Sequence, residues 1–248
     1  MLEIKNLSRS YSQKILVLNN INLSFKPGSF TVISGPNGSG KTQLMRHLNG
    51  LLKPQKGCIT LDGVDIHKNI QETRRRIGLV FQNADSQIVG QTVESDIAFG
   101  PENLKWSRED IDTHVNQVLE ELSLTELKDR RPYTLSGGEK RRCALAAVLV
   151  MQPDIIVLDE PFTGLDVKGV REVLQDIIHL NEQGKTIILI SHDLEKVLAH
   201  ADRLVILEKG CIKAVGKPAQ LLNCLEEHGI RLPWGKNRNV ETMTWLDI

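Results

Sequence analysis

Eight residues, Gly35-Pro36-Asn37-Gly38-Ser39-Gly40-Lys41-Thr42, match G-x-x-x-x-G-K-[ST] in full, and the run Phe30-Thr31-Val32-Ile33-Ser34 precedes them as a strand should. Residue types in this pattern bind a nucleoside triphosphate. The glycines let the loop wrap without Cβ clashes, so that backbone N–H groups point inward at the α- and β-phosphates. The helix that follows adds the partial positive charge of its N-terminus. Lys41 would reach the β- and γ-phosphates, and the Thr42 hydroxyl would ligate Mg²⁺.

Two further segments carry phosphate chemistry. The apolar run Ile155-Ile156-Val157-Leu158 ends in Asp159-Glu160, where an open parallel sheet places its ligand groups. Asp159 fits Mg²⁺ coordination, and Glu160 fits a group that orients or deprotonates attacking water. Such a pair can also be a plain turn former or helix cap, and the upstream loop is what favours the catalytic reading. Leu135-Ser136-Gly137-Gly138-Glu139 opens a helix continued by Lys140, Arg141 and Arg142. Ser136 could be an N-cap and the glycines a flexible turn, yet a Ser-Gly-Gly helix start also exposes N–H groups to an anion. One nucleotide seldom needs two such helix ends from one subunit.

The elements that must position these residues follow from periodicity. Residues 2–8 and 15–25 alternate apolar and polar and predict antiparallel strands, with a small sheet beside the strand that leads into the loop. A helix is expected over 41–51, a strand over 58–61 bounded by turns, and a buried strand over 77–81 preceded by a solvated helix end at Arg74-Arg75-Arg76. From about 91 to 150 the pattern is helical, interrupting a βα alternation that resumes at Ile155. The β-branched runs 155–158 and 186–190 predict parallel strands buried on both faces. The expected fold is a three-layer α/β core with a helical insertion. Residues 225–248 are taken as a C-terminal tail, and the stretch after Pro233, with Trp234 and Trp245, shows no period and is expected to be loosely packed, with a partner-binding surface as the second reading.

Composition bounds the rest. Lys+Arg 31 against Asp+Glu 31 gives no global charge for nucleic acid or an anionic membrane surface. Cys58, Cys143, Cys211 and Cys224 lack C-x-x-C spacing and are expected to be reduced and inert. The start, Met1-Leu2-Glu3-Ile4-Lys5, is expected to be a strand rather than a signal peptide, and no apolar run approaches the ~18 residues that span a bilayer.

Six motifs in order resemble the ATPase subunits of ATP-binding cassette (ABC) transporters, over roughly residues 1–224. They are the phosphate loop, Gln82 after strand 77–81, the signature 135–139, the strand ending at Glu160, Gly164-Leu165-Asp166, and Ser191-His192-Asp193. The resemblance implies a P-loop NTPase (RecA-like) core with an antiparallel β subdomain and an α-helical subdomain inserted at about 91–150. It also implies head-to-tail pairing of two subunits, each ATP lying between the loop of one and Ser136, Gly137, Gly138 and Glu139 of the other. By the same resemblance Tyr11 stacks on adenine, and Gln82 touches Mg²⁺ or the attacking water and transmits nucleotide state to the helical insertion. Asp166 helps close the dimer and order the facing site, and His192 hydrogen-bonds the γ-phosphate.

The segment from Phe81 to Ile88, then Thr92 to Asn103, is similar to the energy-coupling factor (ECF) and cobalt/nickel importer branch, where the stretch after the glutamine contacts the transmembrane coupling protein. Ala84 stands where that branch usually has proline, and Gln43 and Glu139 are less usual choices that leave the catalytic groups untouched. The resemblance implies a peripheral protein on the cytoplasmic face of the membrane, paired with itself or a related ATPase. It would grip a membrane protein whose partner captures a vitamin or a metal ion. Two other readings compete: a soluble cassette ATPase of DNA repair or translation, which usually carries two cassettes or long insertions, and a P-loop kinase, which would leave Ser136 to Glu139 and His192 unexplained.

Overall fold

The computed structural model describes residues 1–12, 15–231 and 239–246, apart from the side chains of residues 11, 12 and 15. In chain order the strands are β1 (Leu2–Ser12), β2 (Ile15–Phe25), β3 (Phe30–Ser34), β4 (Lys56–Leu61), β5 (Val64–Asp65), β6 (Ile77–Val80), β7 (Ile155–Asp159), β8 (Thr186–Ile190), β9 (Arg203–Glu208) and β10 (Cys211–Gly216). The helices that matter below are α1 (Lys41–Leu48), α2 (Ile70–Arg76), α3 (Val93–Asn103), α4 (Arg108–Glu121), α5 (Gly137–Leu149) and α6 (Val167–Glu182).

Strands buried at every position can only sit between two covering layers, and β3, β6, β7 and β8 are buried throughout. They are four contiguous strands of a six-stranded sheet in the order β10-β9-β3-β8-β7-β6, parallel except for the antiparallel edge strand β10. Successive residues face opposite sides. Val32, Ile156, Leu158, Ile187 and Leu189 pack with α3 to α6, whereas Ile33, Val157, Ile188 and Ile190 pack with α1 and with a second, antiparallel sheet in the order β2-β1-β4-β5. Helix α1 ends three residues sooner than its periodicity predicts, because Asn49 caps it and Gly50, at φ +71°, turns the chain out of the helix.

Between β6 and β7 the chain is helical. Thr92, Ser107 and Ser136 cap α3, α4 and α5 with side-chain oxygens that accept from backbone N–H groups, so each start is set by a local polar residue. Among the described residues no helix is long and apolar enough to cross a membrane.

Two expectations need correction. Arg76 is not simply solvated: its guanidinium joins Asp62 at 2.8 Å and Asp154 at 2.6 Å, tying the antiparallel sheet to the start of β7. The tail is also not loose where it is described. Past Pro233, Met243 is buried in the core, Ala199 N–H donates to the Met243 carbonyl, Arg171 Nε donates to the Trp245 carbonyl, and Lys196 Nζ lies 4.8 Å from the centre of the Trp245 ring. Trp234 lies outside the described residues.

At the α5–α6 contact, Asp176 buries its Oδ2 without a hydrogen bond among the described residues, and burial pushes its carboxyl up to about 6. Arg142 and His179 oppose that shift while Glu172 and Glu121 add to it. Below about pH 3 both the folded and unfolded chains hold this proton. As pH rises through 6 the folded chain must ionise a desolvated group, at a cost of at most about 3 kcal/mol. Asp176→Asn should therefore unfold at higher temperature than the parent at pH 8, with the gap closing toward pH 4. Thermal denaturation across that range checks it, and a gap independent of pH contradicts it.

Candidate functional site

A parallel register puts the carboxyl ends of adjacent strands on one edge. Ser34 ends β3, Asp159 pairs with Ile190 across β7 and β8, and Leu158 pairs with Val80 of β6. The chain just beyond each end therefore converges: residues 35–40 after β3, Gln82 after β6, Glu160 after β7 and His192 after β8. Asn37, Lys41, Thr42, Gln82, Asp159, Glu160 and His192 line one cleft of 430 Å³.

The loop after β3 needs glycine for space. A Cβ on Gly35 would lie 1.9 Å from the Leu207 carbonyl oxygen, and one on Gly40, at φ +103°, 2.8 Å from that of Val17. Lys41 opens α1 and is almost wholly buried. Its Nζ donates to the Gly35 carbonyl at 2.7 Å and the Pro36 carbonyl at 3.1 Å. Burial lowers its pKa, against the opposing pull of Glu160 and then Asp159. The ammonium is thus held inside the loop, where phosphate oxygens could replace the carbonyls as acceptors. The Thr42 hydroxyl donates to Asp159 Oδ2 at 3.1 Å, and burial raises the Asp159 carboxyl more than that hydrogen bond lowers it. Ser39 Oγ is buried with no partner among the described residues.

Glu160 sits at φ +48°, a left-handed conformation that is costly for a residue with a Cβ. Its N–H donates to the Ile190 carbonyl at 2.9 Å, which holds it against the end of β8. That placement aims the carboxylate at three groups of the next strand's exit: His192 N–H at 3.2 Å, His192 Nδ1 at 2.8 Å and Ser191 Oγ at 3.3 Å. Both oxygens are engaged, Oε1 with His192 N–H and Nδ1 and Oε2 with Ser191 Oγ, on the wall of the cleft that Glu160 lines, while His192 keeps about half of its side chain exposed.

Ser136, Gly137, Gly138 and Glu139 line a different recess, of 390 Å³, together with Gly164, Asp166 and Glu172. Ser136 Oγ accepts from Glu139 N–H, and Ser136 N–H donates to Glu139 Oε2 at 2.7 Å, which holds that carboxyl below the usual carboxylate range. Asp166 caps α6 by accepting from Gly169 N–H at 2.7 Å. The two helix starts abut through glycine, a Cβ on Gly138 falling 3.4 Å from Gly169 Cα. The sequence-predicted residues therefore divide into two groups that share no lining residue, with Gln82 in the first and Asp166 in the second. The backbone of Tyr11 lies in β1, and its side chain lies outside what is described.

Sequence reasoning gave no role of their own to three neighbours of the site. Val17 lines the cleft beside Gly40, Ser191 binds the Glu160 carboxylate, and Arg141 donates to the carbonyls of Phe81 and Gln82. The Ser-His-Asp run after β8 was the one available signal for Ser191. Nothing local distinguishes Arg141 from its charged neighbours.

The family model described as ABC transporter matches residues 18–163. Energy-coupling factor transporter ATP-binding protein EcfA of Methanosarcina acetivorans is 39% identical over 95% of this chain and 93% of its own length. EcfA2 of Clostridium tetani is 40% identical over 94% of this chain and 85% of its own. The solved structure of CbiO1 from Clostridium perfringens, part of the ABC transporter complex CbiONQ, superposes with a TM-score of 0.82 at 35% identity, covering 94% of this chain and 95% of that one. A dimeric ATP-binding cassette in a post-hydrolysis state, bound to ADP and Pi, superposes with a TM-score of 0.78 at 29% identity, over 88% of this chain and 99% of that one. With a phosphate-binding loop, a strand-end carboxylate pair and a signature helix in one cassette fold, the chain belongs to the ATP-hydrolysing family of ABC transporter ATP-binding subunits, and it is most like the energy-coupling factor branch.

Proposed function

We propose that this chain powers a membrane importer of the ECF type by closing, with ATP, onto a second ATPase subunit, itself or a related one. The observation that carries the reading is the separation of the two phosphate-type helix ends, one beginning at Lys41 and one at Ser136, into clefts with no shared residue. Each cleft carries one of the two helix ends, and head-to-tail pairing would join each loop to a facing signature. Asp166, at the rim of the second cleft, would then meet the partner and order its site.

Within one site, Gly35 to Thr42 would cradle the phosphates, Glu160 would accept the proton of attacking water, and His192 would hydrogen-bond the γ-phosphate. The Glu160–His192 contact at 2.8 Å keeps the two groups at one place on the cleft wall. Thr42, Asp159 and Gln82 are oxygen donors on one side of that cleft, the hard-donor set that suits Mg²⁺. When bound, the ion would neutralise charge on the phosphates. Tyr11 is the candidate for stacking on adenine.

The transport half of the reading rests on a different surface. Beside the segment after Gln82, Ile88, Gly90, Gln91, Arg131, Pro132 and Tyr133 line a 520 Å³ groove, flanked by Val89 and Tyr133, which are 63% and 71% exposed. Apolar side chains left in water next to a groove suit a helix of a transmembrane coupling protein. That contact would hold the chain on the cytoplasmic face of the membrane, and membrane components would capture the solute, a vitamin or a cobalt or nickel ion.

Ser136→Arg tests the shared site. The residue lies outside this chain's own phosphate cleft, so ATP affinity of the dilute subunit should stay within about twofold while turnover is lost. Titration of a fluorescent ATP analogue and a phosphate-release assay check both halves. Turnover that survives the substitution contradicts the reading.

A further inference from the structure

Helix α5 carries Ser136 at its start, and its first turns are fastened to the segment that follows β6. Arg141 is 5% exposed; its Nη1 donates to the Phe81 carbonyl at 2.7 Å and its Nη2 to the Gln82 carbonyl at 2.6 Å. Gln87 makes a second bridge: its Oε1 accepts from Phe81 N–H at 3.0 Å, and its Nε2 donates to the carbonyls of Leu79 and Ala144 at 3.3 Å each. Lys140 adds an ion pair to Asp85 at 2.7 Å. One face of α5, at positions 140, 141 and 144, therefore holds residues 79–87 by charge-assisted and neutral hydrogen bonds together.

Burying a guanidinium is costly, and packing alone would be served by an apolar side chain. Arg141 has no hydrogen-bonded carboxylate, and its Nε has no partner among the described residues. What the guanidinium supplies is two parallel donors at the spacing of two successive carbonyls, which a lysine cannot match. The chain leaves β6 at Val80, so Phe81 and Gln82 are held here by side chains rather than by a sheet.

We propose that Arg141 is a positioning residue that links Gln82, in this chain's own phosphate cleft, to Ser136, which faces the nucleotide of the second subunit. The inference rests on the two-subunit reading above and gives it a linkage. A displacement of Gln82 on nucleotide binding moves the Gln82 carbonyl, the carbonyl moves Arg141, and the rigid first turns of α5 carry the shift about 7 Å along the axis to Ser136. Occupancy of one site then sets the signature at the other, and ATP acts cooperatively.

The test uses the full chain carrying Glu160→Gln, with and without Arg141→Met, at saturating Mg-ATP. Arg141→Met should weaken the ATP-dependent pair by about tenfold or more, as expected for loss of buried charge-assisted hydrogen bonds, while ATP affinity of the dilute subunit stays within about twofold. In the chain with Glu160 intact, the ATP dependence of turnover should lose its sigmoidal form. Arg141→Lys should fall between, and it decides the matter if the methionine variant does not fold. An unchanged pairing constant overturns the proposal, as does a loss of pairing that tracks a lowered unfolding temperature and a weakened ATP affinity, since that marks packing alone. If Glu160→Gln without a change at Arg141 stays monomeric, the two-subunit reading fails and takes this linkage with it. A pair that forms equally well with and without Arg141 removes the linkage only.

Discussion

Glu160→Gln is expected to reduce turnover by about 10²- to 10⁴-fold while leaving ATP binding nearly intact. The amide keeps the size of the carboxylate, its oxygen at the Oε2 position can still accept from Ser191 Oγ and His192 N–H, and the backbone N–H bond to Ile190 keeps the left-handed turn at φ +48° anchored. What it loses is a basic oxygen for the proton of attacking water. The phosphate cradle is built from different atoms, the N–H groups of 35–42 and the Lys41 ammonium, and its affinity should not follow. Phosphate release at saturating ATP and equilibrium nucleotide binding check the two halves. A variant that hydrolyses normally contradicts the role given to Glu160.

Lys41→Ala is expected to lose ATP affinity by about ten- to a hundredfold, the scale of a charge-assisted hydrogen bond made in a partly desolvated site. The buried Nζ rests on two carbonyls of its own loop, so nucleotide binding exchanges acceptors rather than moving the side chain from water. The substitution also removes the cation that lies against Asp159 and Glu160. Asp159 is already raised by burial, and without Lys41 it should shift further up, which weakens it as an oxygen donor. Calorimetric titration with Mg-ATP checks the affinity. An unchanged constant contradicts the account of the loop.

The residues of both clefts could be read from the sequence because their chemistry is local. The phosphate loop needs its glycines, the carboxylates follow an apolar strand, and Ser136 and Glu139 cap their own helix. The parallel strands were legible for the same reason, since runs such as 187–190 are apolar at every position. The order of the sheet was not, because β3 lies between β8 and β9, more than 150 residues away in the chain. Arg141 was missed because an arginine among Lys140 and Arg142 looks like a solvated face until the long-range carbonyls of Phe81 and Gln82 are in place. The tail escaped for a related reason: it docks through single anchors, Met243 and Trp245, and single anchors leave no period.

The central claim is that ATP completes its site between two subunits. The most direct measurement is the molar mass of Glu160→Gln by light scattering after size exclusion, with and without Mg-ATP. The account predicts a doubling of mass that needs nucleotide and disappears with Ser136→Arg. A chain that binds ATP but keeps the mass of one subunit of 27.8 kDa, both alone and with a related ATPase supplied, would contradict it.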